Sequence, residues 1–320
     1  MAKYLVTGIA GFIGSAIARG LLEKGESVRG LDDFSTGKWE NIAAIESQID
    51  FRGVSLLDQA GLASACQGID YVIHQAALPS VPKSIAEPEL THSVNVNGTL
   101  NLLLAARDAG VKRVVYAASS SAYGNSETLP KHEAMIPRPI SPYAVQKLTG
   151  EYYMQAFAEV YGLETVSLRY FNIFGPRQDA NSQYSAVLAK FITRMQQGEA
   201  PTIFGDGEQS RDFTYVANAV QANLKACLAP GVSGKMFNVA TGTRFSLNQT
   251  FEMLRRIIGF NGAAKHAAER AGDVKHSLAD ISLAQKHLGY APEVGFEEGL
   301  RRTVEWYSEK RGAETVGAAK

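Results

Sequence analysis

The chain has 320 residues, of which 45% are hydrophobic and 20% are charged, as in an ordinary globular protein. Lys and Arg together number 32, as do Asp and Glu, so no basic surface for nucleic acid or anionic membrane is expected. No signal-peptide pattern and no apolar run near the ~20 residues of a membrane span is present. The two cysteines are far apart, and the histidines lack paired metal-ligand spacing. We therefore expect a cytoplasmic protein that binds no metal, nucleic acid or membrane.

Short apolar strands alternate with helices through the first half of the chain. Alternation of this kind indicates right-handed βαβ units and a parallel sheet with helices on both faces. The predicted fold is therefore α/β, with a Rossmann-like doubly wound parallel sheet. Strands are predicted at 4–8, 27–33, 49–54, 71–77, 113–119 and 164–175, and helices at 13–24, 58–66, 88–109 and 142–161.

The alternation weakens after about residue 175, where loops, short strands and separate helices follow. We predict a nucleotide-binding domain over 1–175 and a smaller, mostly C-terminal α/β lobe for the substrate over 176–320. A segment near 213–243 is expected to return to the sheet, through the apolar stretch "MFNVA" (236–240).

A glycine-rich loop connects the first predicted strand to the first predicted helix. In "TGIAGFIGS" (7–15), Gly8 allows the turn, Gly11 allows backbone to approach a pyrophosphate, and Gly14 allows the helix to pack on the strand. Asp32 ends the next strand, where a carboxylate accepts from an adenosine ribose and repels a 2′-phosphate. The sequence therefore predicts NAD, in preference to NADP, as the cofactor.

A tyrosine and a lysine lie one turn apart at the start of the helix predicted over 142–161. In "ISPYAVQKL" (140–148), Tyr143 precedes Lys147 by four residues, so both side chains share one helix face. An adjacent ammonium favours phenolate, so we expect the pKa of Tyr143 to fall from ~10 toward working pH and make it a general base. The nearby strand end "ASSSAYG" (118–124) supplies hydroxyls for a reacting alcohol or carbonyl.

The chain resembles the extended short-chain dehydrogenase/reductases of the UDP-hexose 4-epimerase family, and most of all the UDP-N-acetylglucosamine 4-epimerase subgroup. The resemblance covers nearly the whole chain. It rests on "TGIAGFIGS", "HQAALPSVP" (74–82), "NVNGT" (95–99), "ASSSAYG", "SPYAVQK", "LRYFNIFGPRQD" (168–179), "GDGEQSRDF" (205–213) and "RAGDVKHSLADIS" (270–282).

This resemblance implies an epimerisation through a transient 4-keto sugar, with Ser119, Tyr143 and Lys147 as the catalytic residues. It also implies that NAD is held by Gly8, Gly11, Phe12, Ile13, Gly14, Asp32, Lys38, Asp58, Asn95, Tyr143 and Lys147. The residues implied to bind the UDP-sugar are Ser80, Ser119, Ser121, Asn172, Gln178, Ala186, Arg211, Arg270, Asp273 and Ser277. The guanidinium groups of Arg211 and Arg270 suit a diphosphate.

Several positions bear on which reaction and which sugar the chain would handle. Related dehydratases and decarboxylases carry acids after the catalytic hydroxyl, where this chain has Ser120 and Ser121. By this resemblance, Ser277 occupies a position where many epimerases restricted to UDP-glucose have a tyrosine. The smaller serine leaves room for an N-acetyl group and so favours the UDP-GlcNAc/UDP-GalNAc pair. Ser277 could instead be a helix N-cap before "LADIS". Epimerases restricted to UDP-glucose and UDP-galactose, epimerases of UDP-uronates, and a non-enzymatic NAD-sensing protein are the alternatives.

Two departures from the family and one expected assembly complete the prediction. Pro79 occupies a position where relatives commonly have glycine, beside Ser80, and could reshape the sugar wall toward a uronate. The segment "GVSLLD" (53–58) lacks the usual acid for adenine, so Ser55 or Asp58 would serve. The resemblance further implies a homodimer in which the helices 88–109 and 142–161 pair with their copies as a four-helix bundle.

Overall fold

The computed structural model describes residues 1–180, 187–269 and 275–318. The strands are β1 (Lys3–Thr7), β2 (Ser27–Leu31), β3 (Ile49–Arg52), β4 (Tyr71–His74), β5 (Arg113–Ser119), β6 (Glu164–Tyr170), β7 (Ile173–Phe174), β8 (Thr202–Phe204), β9 (Ser210–Arg211), β10 (Thr214–Tyr215), β11 (Lys235–Val239), β12 (Phe245–Ser246) and β13 (Lys265–Ala267). The helices are α1 (Phe12–Glu23), α2 (Gln59–Cys66), α3 (Val81–Ala86), α4 (Pro88–His92), α5 (Gly98–Asp108), α6 (Pro142–Tyr161), α7 (Val187–Gln196), α8 (Val216–Leu228), α9 (Leu247–Ile258), α10 (Ser282–Leu288) and α11 (Phe296–Ala318).

A seven-stranded sheet forms the centre of the molecule, with the strand order β11-β6-β5-β4-β1-β2-β3. Every neighbouring pair in it is parallel. Strand order reverses between β1 and β4, which is the crevice where doubly wound sheets bind ligands. The predicted fold class is confirmed, and the apolar stretch 236–240 lies almost entirely in the edge strand β11, which pairs with β6.

Buried apolar side chains cover both faces of the sheet, as the continuous apolar strands require. One cluster continues from the sheet into α7, α9 and α11, so the C-terminal elements share a core with it. None of the helices in the described ranges is long and apolar enough to cross a membrane.

The helix that carries the Tyr–Lys pair has well-defined ends. Ser141 is its N-cap, with an Oγ that accepts a hydrogen bond from Ala144 N at 3.2 Å, and Pro142 occupies the first helical position. Gly162 ends α6 in the left-handed conformation, at φ 68°. Tyr143 therefore lies in the first turn of α6, next to the carboxyl end of β5.

Three predicted elements differ from the observed ones. The helix predicted over 88–109 contains a π-helical turn, Ser93–Asn97, between α4 and α5. The strand predicted over 71–77 ends at His74, because its neighbour β1 ends at Thr7 and Gly8 turns the chain away. The strand predicted over 164–175 is interrupted after Tyr170, where Asn172 adopts a positive φ of 39°. Each difference lies at the edge of the sheet that faces the cavity described next.

Candidate active site

A cavity of about 460 Å³ opens at the carboxyl ends of the parallel strands. The predicted site residues that line it are Gly8, Gly11, Phe12, Ile13, Gly14, Asp32, Ser119, Tyr143, Lys147, Asn172 and Gln178. The cavity therefore joins the glycine loop to the Tyr–Lys pair, as the sequence predicts for a nucleotide next to a reacting centre.

The glycine loop brings β1 and α1 together more tightly than any side chain would permit. Gly8 has φ +67°, and a Cβ there would lie 2.8 Å from Ala76 N. A Cβ on Gly14 would lie 2.0 Å from Gly8 O, so only glycine fits between the helix and the loop. Because Gly11 precedes α1 without a side-chain cap, the first turn of α1 presents backbone N–H groups to an anion.

Two aspartates follow β2 at one end of the cavity. Asp32 Oδ2 accepts a hydrogen bond from Ala10 N at 2.8 Å and Oδ1 accepts one from Phe34 N at 2.9 Å, while burial raises its pKa. Burial would also raise the pKa of Asp33, but hydrogen bonds from Ser35 and Ser55 lower it below its usual value. These carboxylates lie beside the apolar lining residues Val54 and Leu56, an arrangement that suits an adenosine.

Three of the predicted residues make contacts with neighbouring segments of the protein in this structure. Lys38 Nζ pairs with Asp179 Oδ2 at 2.8 Å, which connects the loop after β2 to the loop after β7. Asp58 is the N-cap of α2, and its Oδ1 accepts a hydrogen bond from Gly61 N at 3.0 Å. It is not among the described residues that line the cavity. Ser80 is the N-cap of α3 and accepts from Lys83 N at 2.9 Å.

Asn95 is buried in the π-helical turn and braces the loop after β4. Its Oδ1 accepts from Leu78 N at 2.8 Å, and its Nδ2 donates to Leu78 O at 3.2 Å and to Gln146 Oε1 at 2.9 Å. The neighbouring residue Pro79 lines the cavity. Asn95 thus fixes the wall that Pro79 presents to a ligand.

The Tyr–Lys pair meets the serines at the end of β5. The Tyr143 hydroxyl is hydrogen-bonded to Ser119. Ser119 Oγ also accepts from Ser121 N at 3.2 Å and from Ser121 Oγ at 2.8 Å. Lys147 is buried, donates from Nζ to Ala117 O at 2.8 Å, and lies 4.9 Å from the centroid of the Tyr116 ring. The structure therefore brings together all three predicted catalytic side chains.

The prediction that the pKa of Tyr143 is lowered is wrong when only the protein's own groups act on it. Burial raises the pKa of Tyr143 to about 12, and the hydrogen bond from Ser119 only partly offsets this. Burial also lowers the pKa of Lys147 to about 8, against the opposing charge of Glu151. The sequence shows that the two groups are neighbours, but it does not show how strongly each is desolvated.

The substrate side of the cavity is built around Asn172. Its Nδ2 donates to Asp212 O at 2.9 Å and to Ser277 Oγ at 3.0 Å. Ser277 is not a helix N-cap, since α10 begins only at Ser282. Gln178 Nε2 donates to Ile173 O at 3.3 Å, and Arg211 Nη1 donates to Ser210 O at 3.0 Å and Lys275 O at 3.1 Å. The remaining predicted residues, Ala186, Arg270 and Asp273, lie outside the described residues.

Gln75 and Tyr170 are among the lining residues that the sequence analysis did not predict. Gln75 is the first residue after β4, and Tyr170 is the last residue of β6. Gln75 Nε2 donates to the Tyr170 hydroxyl at 3.0 Å, and Asn223 Nδ2 donates to the same oxygen at 2.6 Å. Their positions at the carboxyl ends of parallel strands were the available signal.

The geometry fits a dinucleotide. Carboxylates and apolar side chains lie at one end, glycine backbone at a helix N-terminus follows, and the Tyr–Lys pair completes the lining. Among the described residues, no group of three or more His, Cys, Asp or Glu could hold a metal ion. His74 instead contacts Thr7 Oγ1 at 2.8 Å and Thr99 Oγ1 at 3.1 Å through its two ring nitrogens.

Comparison with known proteins agrees with this geometry. Residues 4–240 match the model of the NAD dependent epimerase/dehydratase family. The chain is 37% identical to a putative UDP-glucose 4-epimerase of Methanocaldococcus jannaschii, over 94% of this chain and 97% of that protein. It is 35% identical to a UDP-glucuronate 4-epimerase of Thermodesulfobacterium geofontis, over 97% of both chains.

A solved structure is similar to this chain in both sequence and fold. The UDP-N-acetylglucosamine 4-epimerase from Methanobrevibacter ruminantium, in complex with UDP-N-acetylmuramic acid, superposes with a TM-score of 0.92 at 41% identity. The match covers 97% of this chain and 99% of that one. The chain belongs to the NAD dependent epimerase/dehydratase family. The predicted resemblance and the NAD cofactor are confirmed, and the predicted class of enzyme, an NAD-dependent UDP-sugar 4-epimerase, agrees with these relatives.

Proposed function

We propose that the protein interconverts UDP-GlcNAc and UDP-GalNAc by inverting C4 of the hexose, with NAD as a bound cofactor. The observation that carries the choice of sugar is the small side chain of Ser277, whose Oγ lies 3.0 Å from the Nδ2 of the cavity residue Asn172. A serine at this wall leaves volume that a bulky aromatic residue would fill, and that volume suits an N-acetyl group.

The chain's own groups would handle the proton of the sugar 4-hydroxyl. Tyr143 would take that proton and later return it. Ser119, which is hydrogen-bonded to Tyr143, would also form a hydrogen bond with the sugar oxygen. Lys147 would hold the ribose next to the nicotinamide with its ammonium. Bound NAD⁺ would supply a reversible hydride acceptor for C4, and its positive ring would favour the phenolate form of a neighbouring phenol.

Elimination reactions that share the first step are disfavoured by the residues around Tyr143. A dehydratase or decarboxylase of this kind needs a carboxylic acid near the sugar. Among the described residues that line the cavity, the acids are Asp32 and Asp33, both at the adenosine end. Ser120 and Ser121 occupy the positions after Ser119. An epimerisation, which needs a single general base, is the reaction that these residues support.

A uronate substrate finds less support than a neutral sugar. Lys147 is the basic residue among the described lining residues, and its ammonium already donates to Ala117 O. A C6 carboxylate would therefore compete for the group that is proposed to hold the ribose. Pro79 reshapes the wall but adds no charge.

The proposal is tested by incubating the purified enzyme with UDP-GalNAc, UDP-galactose or UDP-galacturonate and no added cofactor. We expect UDP-GalNAc to be converted to its C4 epimer with the highest kcat/KM, which would also report NAD retained through purification. A preference for UDP-galactose or UDP-galacturonate would overturn the choice of sugar. Conversion of none, even with NAD added, would overturn the reaction.

Introducing bulk at Ser277 should narrow the sugar range. Ser277→Tyr is expected to lower kcat/KM for UDP-GalNAc by about 10–200-fold while UDP-galactose keeps most of its rate. Ser277→Ala removes the hydrogen bonds that Ser277 Oγ accepts from Asn172 Nδ2 and Asp212 N, adds no bulk, and should keep the wild-type preference. Ser282→Tyr places the same ring on the exposed start of α10 and serves as the control. An equal loss for both sugars in Ser277→Tyr would contradict the pocket assignment.

The part of the chain after residue 175 is proposed to form most of the substrate lobe. Gln178, near its start, already lines the cavity, as does Asn172 just before it. The proposed nucleotide domain covers 1–175 and takes in α8 and β11 from the return segment 213–243, and the rest of 176–320 forms the lobe. The UDP group would lie between the two parts, with Arg211 toward its diphosphate.

A homodimer formed through α4, α5 and α6 is proposed from the exposed apolar side chains on these helices. Val145 and Tyr152 are 48% and 56% exposed and lie seven residues apart on α6, and Leu90 on α4 is 43% exposed. Side chains seven residues apart share a face, as the seam of a four-helix bundle requires. In contrast, Leu103 and Phe157 are buried within one chain.

Charge at this seam should separate the subunits. The double substitution Val145→Glu and Tyr152→Glu places like charges on the apolar face of each copy, and we expect light scattering to report a monomer in place of a dimer. Lys286→Glu, on the exposed face of α10, should leave the mass unchanged. A wild-type monomer at micromolar concentration, or a dimeric double variant, would contradict the proposed interface.

A further inference from the structure

A buried ion pair lies one turn beyond the catalytic lysine. Glu151 follows Lys147 by four residues on α6, so the two side chains share a helix face. Glu151 Oε1 accepts from Arg169 Nε at 2.8 Å, and Oε2 accepts from Nη2 at 2.7 Å. The side chains of Arg169 and Glu151 are only 1% and 6% exposed. This two-point contact fastens α6 to β6 in the protein interior.

Stability alone does not explain the pair. A buried salt bridge must offset the desolvation of both ions, and apolar residues of similar volume often stabilise a fold as well or better. The Arg169 guanidinium also lies 4.6 Å from the Tyr123 ring centroid and forms a hydrogen bond with the Tyr123 side chain. The cost of desolvating these charges leaves room for a role of the pair beyond stability.

Lys147 is a group that needs an opposite charge. Its side chain is buried against Tyr116, and burial lowers its pKa to about 8 while the negative charge of Glu151 acts in the other direction. A neutral lysine could neither favour the Tyr143 phenolate nor donate as an ammonium. The charge state of Lys147 at neutral pH therefore depends on the groups around it.

The other titratable groups near Lys147 are neutral. On β4, burial and then the charge of Lys147 lower the pKa of His74 to about 3. On β5, burial raises the pKa of Tyr116 far above its usual value, and on α6 burial raises that of Tyr143 to about 12. Glu151 is the anion whose charge acts on Lys147 among the described residues.

The charges behind Glu151 keep it ionised. Burial raises the pKa of Glu151, and the two hydrogen bonds and the charge of Arg169 oppose that rise. The pKa of Arg169 is raised by its contact with Glu151, so the guanidinium stays charged. Farther out, burial raises the pKa of Glu133, which acts on Arg169 and not on Lys147.

We propose that Glu151 and Arg169 are positioning residues for Lys147: Arg169 fixes the Glu151 carboxylate one turn below the lysine, and that carboxylate keeps Lys147 in its ammonium form. The pair would thus act on the general base Tyr143 through Lys147. It touches neither substrate nor cofactor. The inference rests on NAD-dependent epimerisation but not on which UDP-sugar is converted.

The test compares the pH profiles of wild type and Glu151→Gln. Glutamine keeps the shape and one acceptor for Arg169 but removes the anion and leaves the guanidinium charge uncompensated. Both changes favour neutral Lys147, so the alkaline limb of the profile, where kcat falls as the pH rises, should move to lower pH. At pH values above this fall, kcat of Glu151→Gln should be about tenfold below that of wild type. At the acid end of the profile, the two kcat values should agree within a few-fold.

A second readout does not need turnover. Near-ultraviolet difference titration of the purified holoprotein, with the matching Tyr143→Phe form as the blank, reports tyrosinate at Tyr143. In Glu151→Gln the tyrosinate should appear at higher pH than in wild type. If wild type converts none of the three UDP-sugars, the proposed function fails, while this titration still decides the inference.

Two controls separate electrostatics from packing. Glu164→Gln removes the negative charge that lies 2.7 Å from Arg113 Nη2 at the start of β5 and β6, away from Lys147, and should lower the melting temperature without moving the limb. The double variant Glu151→Gln with Arg169→Gln removes both charges, so its limb should lie between those of wild type and Glu151→Gln. A uniform loss of turnover at every pH, with an unmoved tyrosinate titration in both variants, would overturn the proposal.

Discussion

Tyr143→Phe should lower turnover by about 10²–10⁴-fold while the protein stays folded and keeps its NAD. The substitution removes one hydroxyl, which is hydrogen-bonded to Ser119 and belongs to a residue that lines the cavity. Without it, no group at this position can take the proton from the sugar 4-hydroxyl. The lost hydrogen bond to Ser119 should cost only about 1 kcal/mol of unfolding free energy, so the melting temperature should change by a few degrees at most.

The measurement is kcat on the preferred UDP-sugar, together with NAD content and melting temperature. Tyr161→Phe removes a hydroxyl from an exposed tyrosine at the end of the same helix, outside the proposed dimer seam, and should leave all three unchanged. A Tyr143→Phe enzyme within a few-fold of wild type would mean that another group is the base. A wild-type protein that binds NAD and turns nothing over would favour an NAD-sensing role.

The part of the site that the sequence predicts correctly consists of short-range patterns. The spacing of Gly8, Gly11 and Gly14 indicates a tight turn between a strand and a helix, and the four-residue step from Tyr143 to Lys147 places both side chains on one helix face. Alternation of strands and helices then indicates a parallel sheet, whose carboxyl ends bring these patterns to one edge. Each inference needs only neighbours along the chain.

The part that the sequence does not predict depends on contacts between distant segments. The Gln75–Tyr170 hydrogen bond joins residues 95 positions apart, and the Lys38–Asp179 pair joins two loops. The direction of the Tyr143 pKa was wrong for the same reason, because desolvation is produced by the whole surrounding fold. Asp58 was predicted to stand in for the family's usual adenine acid but caps α2, a local role that its place before a helix also allowed.

Gly14→Ala should weaken both the fold and the binding of NAD. A Cβ at this position would lie 2.0 Å from Gly8 O and 2.8 Å from Gly8 C, which are backbone atoms that cannot rotate away. Helix α1 must therefore move from the loop by more than an ångström. Overpacking of this kind costs about 3 kcal/mol, so the melting temperature should fall on the order of 5 °C or more. The amount of NAD that copurifies should fall about tenfold or more, because the first turn of α1 would no longer face the pyrophosphate.

A graded series of glycine variants separates packing from cofactor contact. A Cβ on Gly295 would meet no atom within 4 Å, so Gly295→Ala should change neither quantity. A Cβ on Gly11 would lie 3.1 Å from Gly8 O, so Gly11→Ala should cost little stability and yet reduce NAD content, since this residue faces the cavity. If Gly14→Ala keeps wild-type stability and full NAD content, then α1 is not held as closely to β1 as the structure has it. If Gly11→Ala destabilises as much as Gly14→Ala, packing rather than access to the pyrophosphate is the reason for glycine at both positions.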